Sequence, residues 1–255
     1  MKTVLFVGFG NMGSIFAKKF VQNENFEVFA IDPNVQQKNE RVEFFESFED
    51  MPSSIYPNII VFAVKPQNID EIINKYKIFT DALFISILAG KPISYFEEKI
   101  PHAKIIRVMP NLGLKYDSGV NICMENQKCL NSDKNLLDDI FEDQNIWIEK
   151  EDLFHITTAI SGSGIAFVLK IMEAFIGNGI NKNIPEEDSY KMTLSIFESA
   201  VRFLKDEYKI EEVVEKITSK NGTTEAGLNY MSNKMYKLIK EIIEASEKRS
   251  KELAL

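Results

Sequence analysis

The sequence predicts an α/β protein in two parts: a doubly wound, mainly parallel sheet domain over 1–150, followed by an all-helical domain over 151–255. Three observations predict it. Short apolar runs alternate with helical periodicity through the first part, a glycine-rich turn joins the first run to the first helix, and strand signals stop after residue 151.

The runs lie at 3–7, 27–31, 59–64, 82–87 and 104–109, with two further strands at 120–124 and 146–148. They are continuous stretches of β-branched and aromatic residues rather than strict alternations, which is what strands buried on both faces need. With helices between them they read as βαβ units. Beyond residue 151 the periodicity predicts helices over 157–175, 185–206 and 233–253, with Pro185 suited to a first turn. The last is amphipathic, with Met235, Leu238, Ile239, Ile242, Ile243 and Ala245 apolar among Lys and Glu, and reads as a helix packed against this or a partner subunit.

The first run passes directly into Gly8-Phe9-Gly10-Asn11-Met12-Gly13, and a helical pattern follows. Here Gly8 permits the tight turn, Gly10 lets the backbone approach a pyrophosphate, and Gly13 lets helix and strand pack closely. The pyrophosphate would sit on the free amides and positive dipole end of that helix. Glycines also mark ordinary turns, but a strand before, a helix after and an acid ending the second run together point to a dinucleotide site. The acid is Asp32, nineteen positions after Gly13. A carboxylate there accepts from ribose hydroxyls and favours NADH over NADPH, since it repels a 2′-phosphate unless a cation intervenes; Lys38 and Arg41 lie downstream as candidates. Before Pro33, Asp32 also suits a plain turn.

Composition limits the remaining choices. The chain is 45% hydrophobic and 27% charged, with a net charge of -8 and no basic tract, which argues against a nucleic-acid partner. Cys123 and Cys129 read as buried or half-buried thiols, and with His102 and His155 they make no metal-ligand spacing. Met1 leads into an apolar strand without the pattern of a secretory leader, and no apolar run of about 18 residues stands out as a bilayer span. These readings predict a cytoplasmic protein without a membrane partner.

Five segments in order carry a resemblance: Gly8 to Gly13, Ala63-Val64-Lys65-Pro66-Gln67, Arg107-Val108-Met109-Pro110-Asn111, Ser161-Gly162-Ser163-Gly164 and Thr218-Ser219-Lys220-Asn221-Gly222-Thr223-Thr224. In these the chain resembles the pyrroline-5-carboxylate reductase family, and the Glu-Lys-Arg-Ser-Lys close at 247–251 is similar to that family's last helix. The resemblance implies an N-terminal Rossmann-type domain and an all-helical C-terminal dimerisation domain. The latter interleaves with a second subunit to complete the active site, in a homodimer or a larger assembly of dimers.

It further implies NADH or NADPH as cofactor, with hydride transfer to the imine carbon of 1-pyrroline-5-carboxylate to give L-proline, the last step of proline biosynthesis. Cofactor-binding residues would be Gly8, Gly10, Asn11, Met12, Gly13, Asp32, Ala63, Val64, Lys65, Pro66 and Asn111. Ser219, Asn221, Gly222, Thr223 and Thr224 would receive the substrate, their amides forming an anion nest at a helix start, with the Thr224 hydroxyl near the ring nitrogen. Read alone, these Ser and Thr residues are helix caps.

The sequence departs from the family pattern at Leu112-Gly113 for Thr-Pro, Ile165-Ala166-Phe167 for Pro-Ala-Tyr, and Lys220-Asn221 for Pro-Gly. These departures bear on substrate choice and keep open a reductase of another cyclic imino acid, or a non-catalytic dinucleotide-binding sensor. Two neighbouring classes fit less well. The β-hydroxyacid dehydrogenases carry a lysine four residues after a Gly-x-Gly, where this chain has Val168; Lys170 is about 200° round the helix from it. Tyr230 and Lys234 have short-chain dehydrogenase spacing but read as surface helix residues.

Overall fold

A computed structural model of the chain describes residues 1–35, 39–206 and 209–253. Lys38, named above as a candidate cation, lies outside the described residues. The chain divides into two compact units, one comprising Met1–Gly162 together with the end of the chain from Glu247, the other Ser163–Ser246.

The first unit is built on strands β1 (Lys2–Val7), β2 (Phe26–Ile31), β3 (Val42–Phe45), β4 (Ile59–Phe62), β5 (Leu83–Ser86), β6 (Lys104–Pro110), β7 (Asn121–Glu125) and β8 (Asn145–Trp147). They form one sheet in the order β3-β2-β1-β4-β5-β6-β7-β8. Every pair is parallel except β6 with β7. Strand β3 is not predicted by the sequence: as an edge strand it exposes Glu43, which breaks the apolar run that marks β4 and β5 at the same length.

Alternate residues of each strand feed opposite cores, and this explains the unbroken apolar runs. Val4, Phe6, Val61, Ile85 and Ile106 pack on one face under Phe16 and Phe20 of α1 (Asn11–Gln22). Leu5, Val7, Ile60, Phe62 and Phe84 pack on the other, beneath Ile69 of the short α2 (Ile69–Ile72) and Phe96 of α3 (Ile93–Lys99). On the first face α4 (Asn131–Phe141) adds Phe141, whose ring stacks on Phe16 at 4.6 Å. Helices on both faces make the sheet doubly wound, as the sequence predicts.

Helix α5 (Leu153–Thr157) runs through a π-helical stretch, Thr158–Gly162, towards α6 (Gly164–Asn181). This whole stretch, Leu153–Asn181, has a mean hydropathy of 1.6 over its most apolar window, long and apolar enough to cross a membrane. The sequence reading found no such run. Lys170 and Glu173 interrupt it on paper, but they pair with each other one turn apart and leave the rest of the helix apolar.

The second unit continues with α7 (Glu186–Asp206), α8 (Ile210–Ile217) and α9 (Thr223–Glu252). Ser232, at φ 37° and ψ −133°, breaks α9 into two helices. Its second helix is the predicted one, whereas α8 and the first part of α9 were not predicted. Helices α6 and α7 pack closely: a Cβ on Gly179 would stand 2.5 Å from Ser189 Oγ. Few of this unit's apolar side chains are buried, and Val168, Leu169, Phe175, Leu194 and Val201 are all exposed. Phe167, Ile171 and Phe175 of α6 face Met235, Leu238 and Ile242 of α9 across a groove of about 700 Å³.

Candidate active site

Strand order reverses direction between β1 and β4, and in an open α/β sheet ligands bind at the carboxyl end of that switch point. A cleft of about 530 Å³ opens there. Gly8, Phe9, Gly10, Asn11 and Ser14 line it from the turn after β1, Asp32, Pro33 and Asn34 from the end of β2, and Ala63, Val64, Lys65 and Asn68 from the end of β4.

The glycines occupy three different environments. Gly8 has φ +93°, and a Cβ on it would lie 2.8 Å from the carbonyl of Ala63. A Cβ on Gly13 would lie 2.9 Å from Gly8 O and 3.1 Å from Ala63 Cβ, so helix and strand touch through this residue. Gly10 caps α1 without a side-chain bond, and nothing stands within 4 Å of where its Cβ would be. Two glycines are therefore filled against by the protein itself, and the third faces open space beside the first amides of a helix.

Asp32 makes the local turn bond that its place before Pro33 suggests, and a second bond to the glycine turn. Its Oδ2 accepts from Phe9 N at 2.7 Å and its Oδ1 from Asn34 N at 2.8 Å. A carboxylate has about four lone-pair sites, so two remain for a ligand. Arg41 supplies no cation here. Its Nη1 donates to Val21 O at 3.2 Å, and it lines a separate groove with Met1, Asn23 and Phe26 at the amino ends of the strands. Lys65 is exposed on the cleft wall.

Four residues expected at the cofactor do not line the cleft. Met12 packs against the core of the sheet, Gly13 is taken up by helix packing, and Pro66 begins a short 3-10 turn ending at Asn68. Asn111 is spent on local structure. Its Oδ1 accepts from Gly113 N at 3.1 Å and Val120 N at 3.2 Å, and its Nδ2 donates to Ser161 O at 3.2 Å. Conversely, Phe9, Ser14, Ile31, Pro33, Asn34 and Asn68 line the cleft unforeseen. Phe9 and Ser14 lie in or beside the glycine motif, and the others follow strands at the carboxyl edge, a position that could have flagged them.

In the second unit, the 219–224 segment forms the turn that starts α9. Gly222 N donates to Ser219 O at 3.0 Å, and Asn221 takes φ +57°, the left-handed region. The amides of Thr223, Thr224 and Glu225 begin the helix and have no acceptor four residues back. The expected nest is partly filled from within: Glu225 Oε2 accepts from Asn221 N at 2.6 Å. Thr223 and Thr224 are exposed, and their hydroxyls have no hydrogen-bond partner among the described residues.

Two family models match the chain. Residues 151–253 match pyrroline-5-carboxylate reductase dimerisation, and residues 3–90 match NADP oxidoreductase, coenzyme F420-dependent. A pyrroline-5-carboxylate reductase of Aquifex aeolicus is 29% identical over 254 residues, spanning 97% of this chain and 96% of its own. The crystal structure of Plasmodium falciparum pyrroline carboxylate reductase, with NADP bound, superposes with a TM-score of 0.85 at 29% identity, covering 100% of this chain and 98% of its own. A Coxiella burnetii pyrroline-5-carboxylate reductase shares the fold at a TM-score of 0.88 and 23% identity, over 99% of this chain and 98% of its own.

The helical part of the chain matches the pyrroline-5-carboxylate reductase dimerisation model, and the chain resembles pyrroline-5-carboxylate reductases over nearly its whole length.

Its departures from the family pattern can now be placed. Asn221 adopts the left-handed conformation that a glycine would supply there, so this change is mild. Phe167, where the family has Tyr, lines the apolar groove between α6 and α9, an environment in which the lost hydroxyl costs little. Leu112 sits exposed on the turn capped by Asn111. Tyr230 and Lys234 stack on one another at 3.7 Å, with Tyr230 exposed on the surface of α9, which removes the short-chain dehydrogenase reading.

Proposed function

We propose that the chain is an NAD(P)H-dependent pyrroline-5-carboxylate reductase, delivering a hydride to the imine carbon of 1-pyrroline-5-carboxylate to give L-proline. The resemblance to that family carries the reaction class. The observation in the fold that carries it is the switch-point cleft, where Gly10 leaves open space beside unpaired helix amides.

The residues present fit a dinucleotide. Gly8, Gly10 and Asn11 would receive the pyrophosphate on backbone amides. Asp32 has lone pairs left for the ribose hydroxyls, which favours NADH in this chain. Ala63, Val64 and Lys65 would border the nicotinamide end. The cofactor, when bound, supplies the hydride.

The rest of the task is holding the acceptor. Substrate carboxylate would be met by the amides at the start of α9 and by Ser219, with Glu225 giving up the Asn221 amide. The Thr224 hydroxyl would stand by the ring nitrogen. A protonated imine is already electrophilic, so orientation takes the place of a strong general acid.

In this reading residues 1–150 are the dinucleotide domain, and 151–255 bind substrate and dimerise. A second copy of the chain covers the apolar faces of α6 and α7, which also accounts for a helix apolar enough for a membrane in a cytoplasmic homodimer. The test is loss of absorbance of NADH, and separately NADPH, on adding pyrroline-5-carboxylate. Oxidation of either with proline formed supports the assignment; cofactor binding without oxidation counts against it.

A further inference from the structure

Arg107, on β6, is only 5% exposed. Its Nη1 donates to Glu151 Oε1 at 2.8 Å, and its guanidinium lies 4.2 Å over the ring of Phe154 in α5. Its Nε is buried without a hydrogen-bond partner among the described residues. The same Glu151 oxygen accepts from Ile93 N, the first amide of α3, at 2.7 Å. One carboxylate oxygen thus joins the strand, the loop 87–92 that leaves β5, and the turn that enters α5. Just past the end of the same strand, Asn111 Nδ2 donates to Ser161 O at 3.2 Å. Arg107 and Asn111, the two ends of the Arg-Val-Met-Pro-Asn segment, therefore grip the two ends of 151–162, and all these residues belong to the first unit.

Burying an ion pair is a poor way to gain stability, because apolar side chains of similar volume usually serve as well or better. What this pair supplies is direction: one charge-assisted bond from Nη1 and the face of Phe154 together fix the plane of the guanidinium. Neither Arg107 nor Glu151 lines the cleft. We propose that the Arg107–Glu151 pair is a positioning device for the reaction, fixing the loop 87–92 and the 151–162 segment at the end of the sheet where the cleft opens. The proposal rests on the reductase reading above. It predicts that the pair acts on turnover more than on folding or on cofactor binding, since a displacement of about 1 Å in the reacting geometry costs on the order of a hundredfold in rate.

The experiment compares the full-length wild type with Arg107→Met/Glu151→Gln and with Arg107→Lys. The double variant removes both charges together, so no buried charge is left unpaired. For each protein, melting temperature, NADH affinity by fluorescence, and kcat and KM for pyrroline-5-carboxylate are measured. The double variant is expected to melt near the wild type and bind NADH within about twofold. Its kcat is expected to fall by about tenfold or more. Arg107→Lys, which keeps one donor to Glu151, is expected to have an intermediate kcat. Wild-type kcat in the variants overturns the proposal, as does a loss of turnover matched by an equal loss of NADH binding. Should the double variant not fold, Arg107→Lys decides by the same criteria. A wild type that oxidises neither cofactor overturns the reductase reading and this role with it; wild-type turnover preserved in both variants overturns this role alone.

Discussion

The Asp32 carboxylate is bonded at 2.7 Å to the amide of Phe9, inside the glycine turn that follows β1. One side chain therefore shapes the turn proposed to hold the pyrophosphate and keeps lone pairs for the ribose hydroxyls of that proposal. Selectivity and loop geometry are coupled through it.

The coupling gives a first prediction. Asp32→Ser removes the charge while keeping an acceptor for one amide. The ratio of kcat/KM for NADPH to that for NADH is expected to rise by about tenfold, corresponding to roughly 1.4 kcal/mol. Total activity is expected to fall, because the second amide loses its partner, at about 1–3 kcal/mol for a buried donor. Initial rates with both cofactors measure it; an unchanged ratio would remove Asp32 from cofactor selection.

Gly8 and Gly10 are expected to behave differently although they share one motif. Gly8→Ala forces a Cβ to 2.8 Å from the Ala63 carbonyl at φ +93°, and should destabilise the protein by about 1–3 kcal/mol. Gly10→Ala meets nothing within 4 Å and should melt like the wild type while binding NADH about tenfold more weakly. Thermal melts and cofactor titrations separate the two. A destabilised Gly10→Ala with normal cofactor affinity would contradict the assignment.

How much of this was legible in the sequence depended on how local the cause was. Strands β1, β4, β5 and β6 declared themselves because both faces are buried, whereas β3 has one neighbour and exposes Glu43. The glycine turn was legible because Gly8 and Gly13 answer close contacts near strand ends and Gly10 leaves space beside a helix start. Arg107 and Glu151, 44 positions apart, gave no sign of meeting, since their contact is made by the fold and not by a period. Nor could the sequence show that Asn111 is occupied by Gly113, Val120 and Ser161, or that Glu225 takes the Asn221 amide. Short motifs name residues, and the fold decides whether their polar atoms are free.

Thr224 has a hydroxyl without a partner among the described residues on the first turn of α9, and the proposed role gives it a hydrogen bond to the ring nitrogen of the substrate. Thr224→Ala is expected to lower kcat by about tenfold to a hundredfold, in line with roughly 1.5–3 kcal/mol for a bond to a charged group. NADH affinity should stay unchanged. Steady-state kinetics with a cofactor titration is the check, and wild-type kcat would exclude the role.

The cysteines give a prediction in pH. Burial, reinforced by nearby Asp133, pushes the Cys129 thiol from 9.0 up to about 11, and burial also raises Cys123. At pH 8 both should resist thiol reagents in the native protein and react on unfolding. The sign of the linked stability follows, because the folded state holds the thiol protons more tightly than the unfolded chain. This contribution is complete below pH 9 and is lost as pH rises through about 11. Alkylation kinetics at pH 8 and melts across the alkaline range test both parts; rapid native labelling of buried Cys123 or half-buried Cys129 would contradict the raised thiols.

The apolar groove between α6 and α9 supplies a test of assembly. Leu238→Lys places a charge on a lining residue of that groove in the second unit. The proposed homodimer is expected to dissociate towards monomer by light scattering, with turnover lost alongside. A variant that stays dimeric and active would place the subunit interface elsewhere.

Hydride delivery to the imine carbon of pyrroline-5-carboxylate can be followed atom by atom with an isotope. With NADH deuterated at the reactive position of the nicotinamide, the product is examined by mass spectrometry and NMR. Proline carrying a single deuterium on the ring methylene next to nitrogen is expected. Unlabelled proline, or cofactor that binds and is never oxidised, would contradict it.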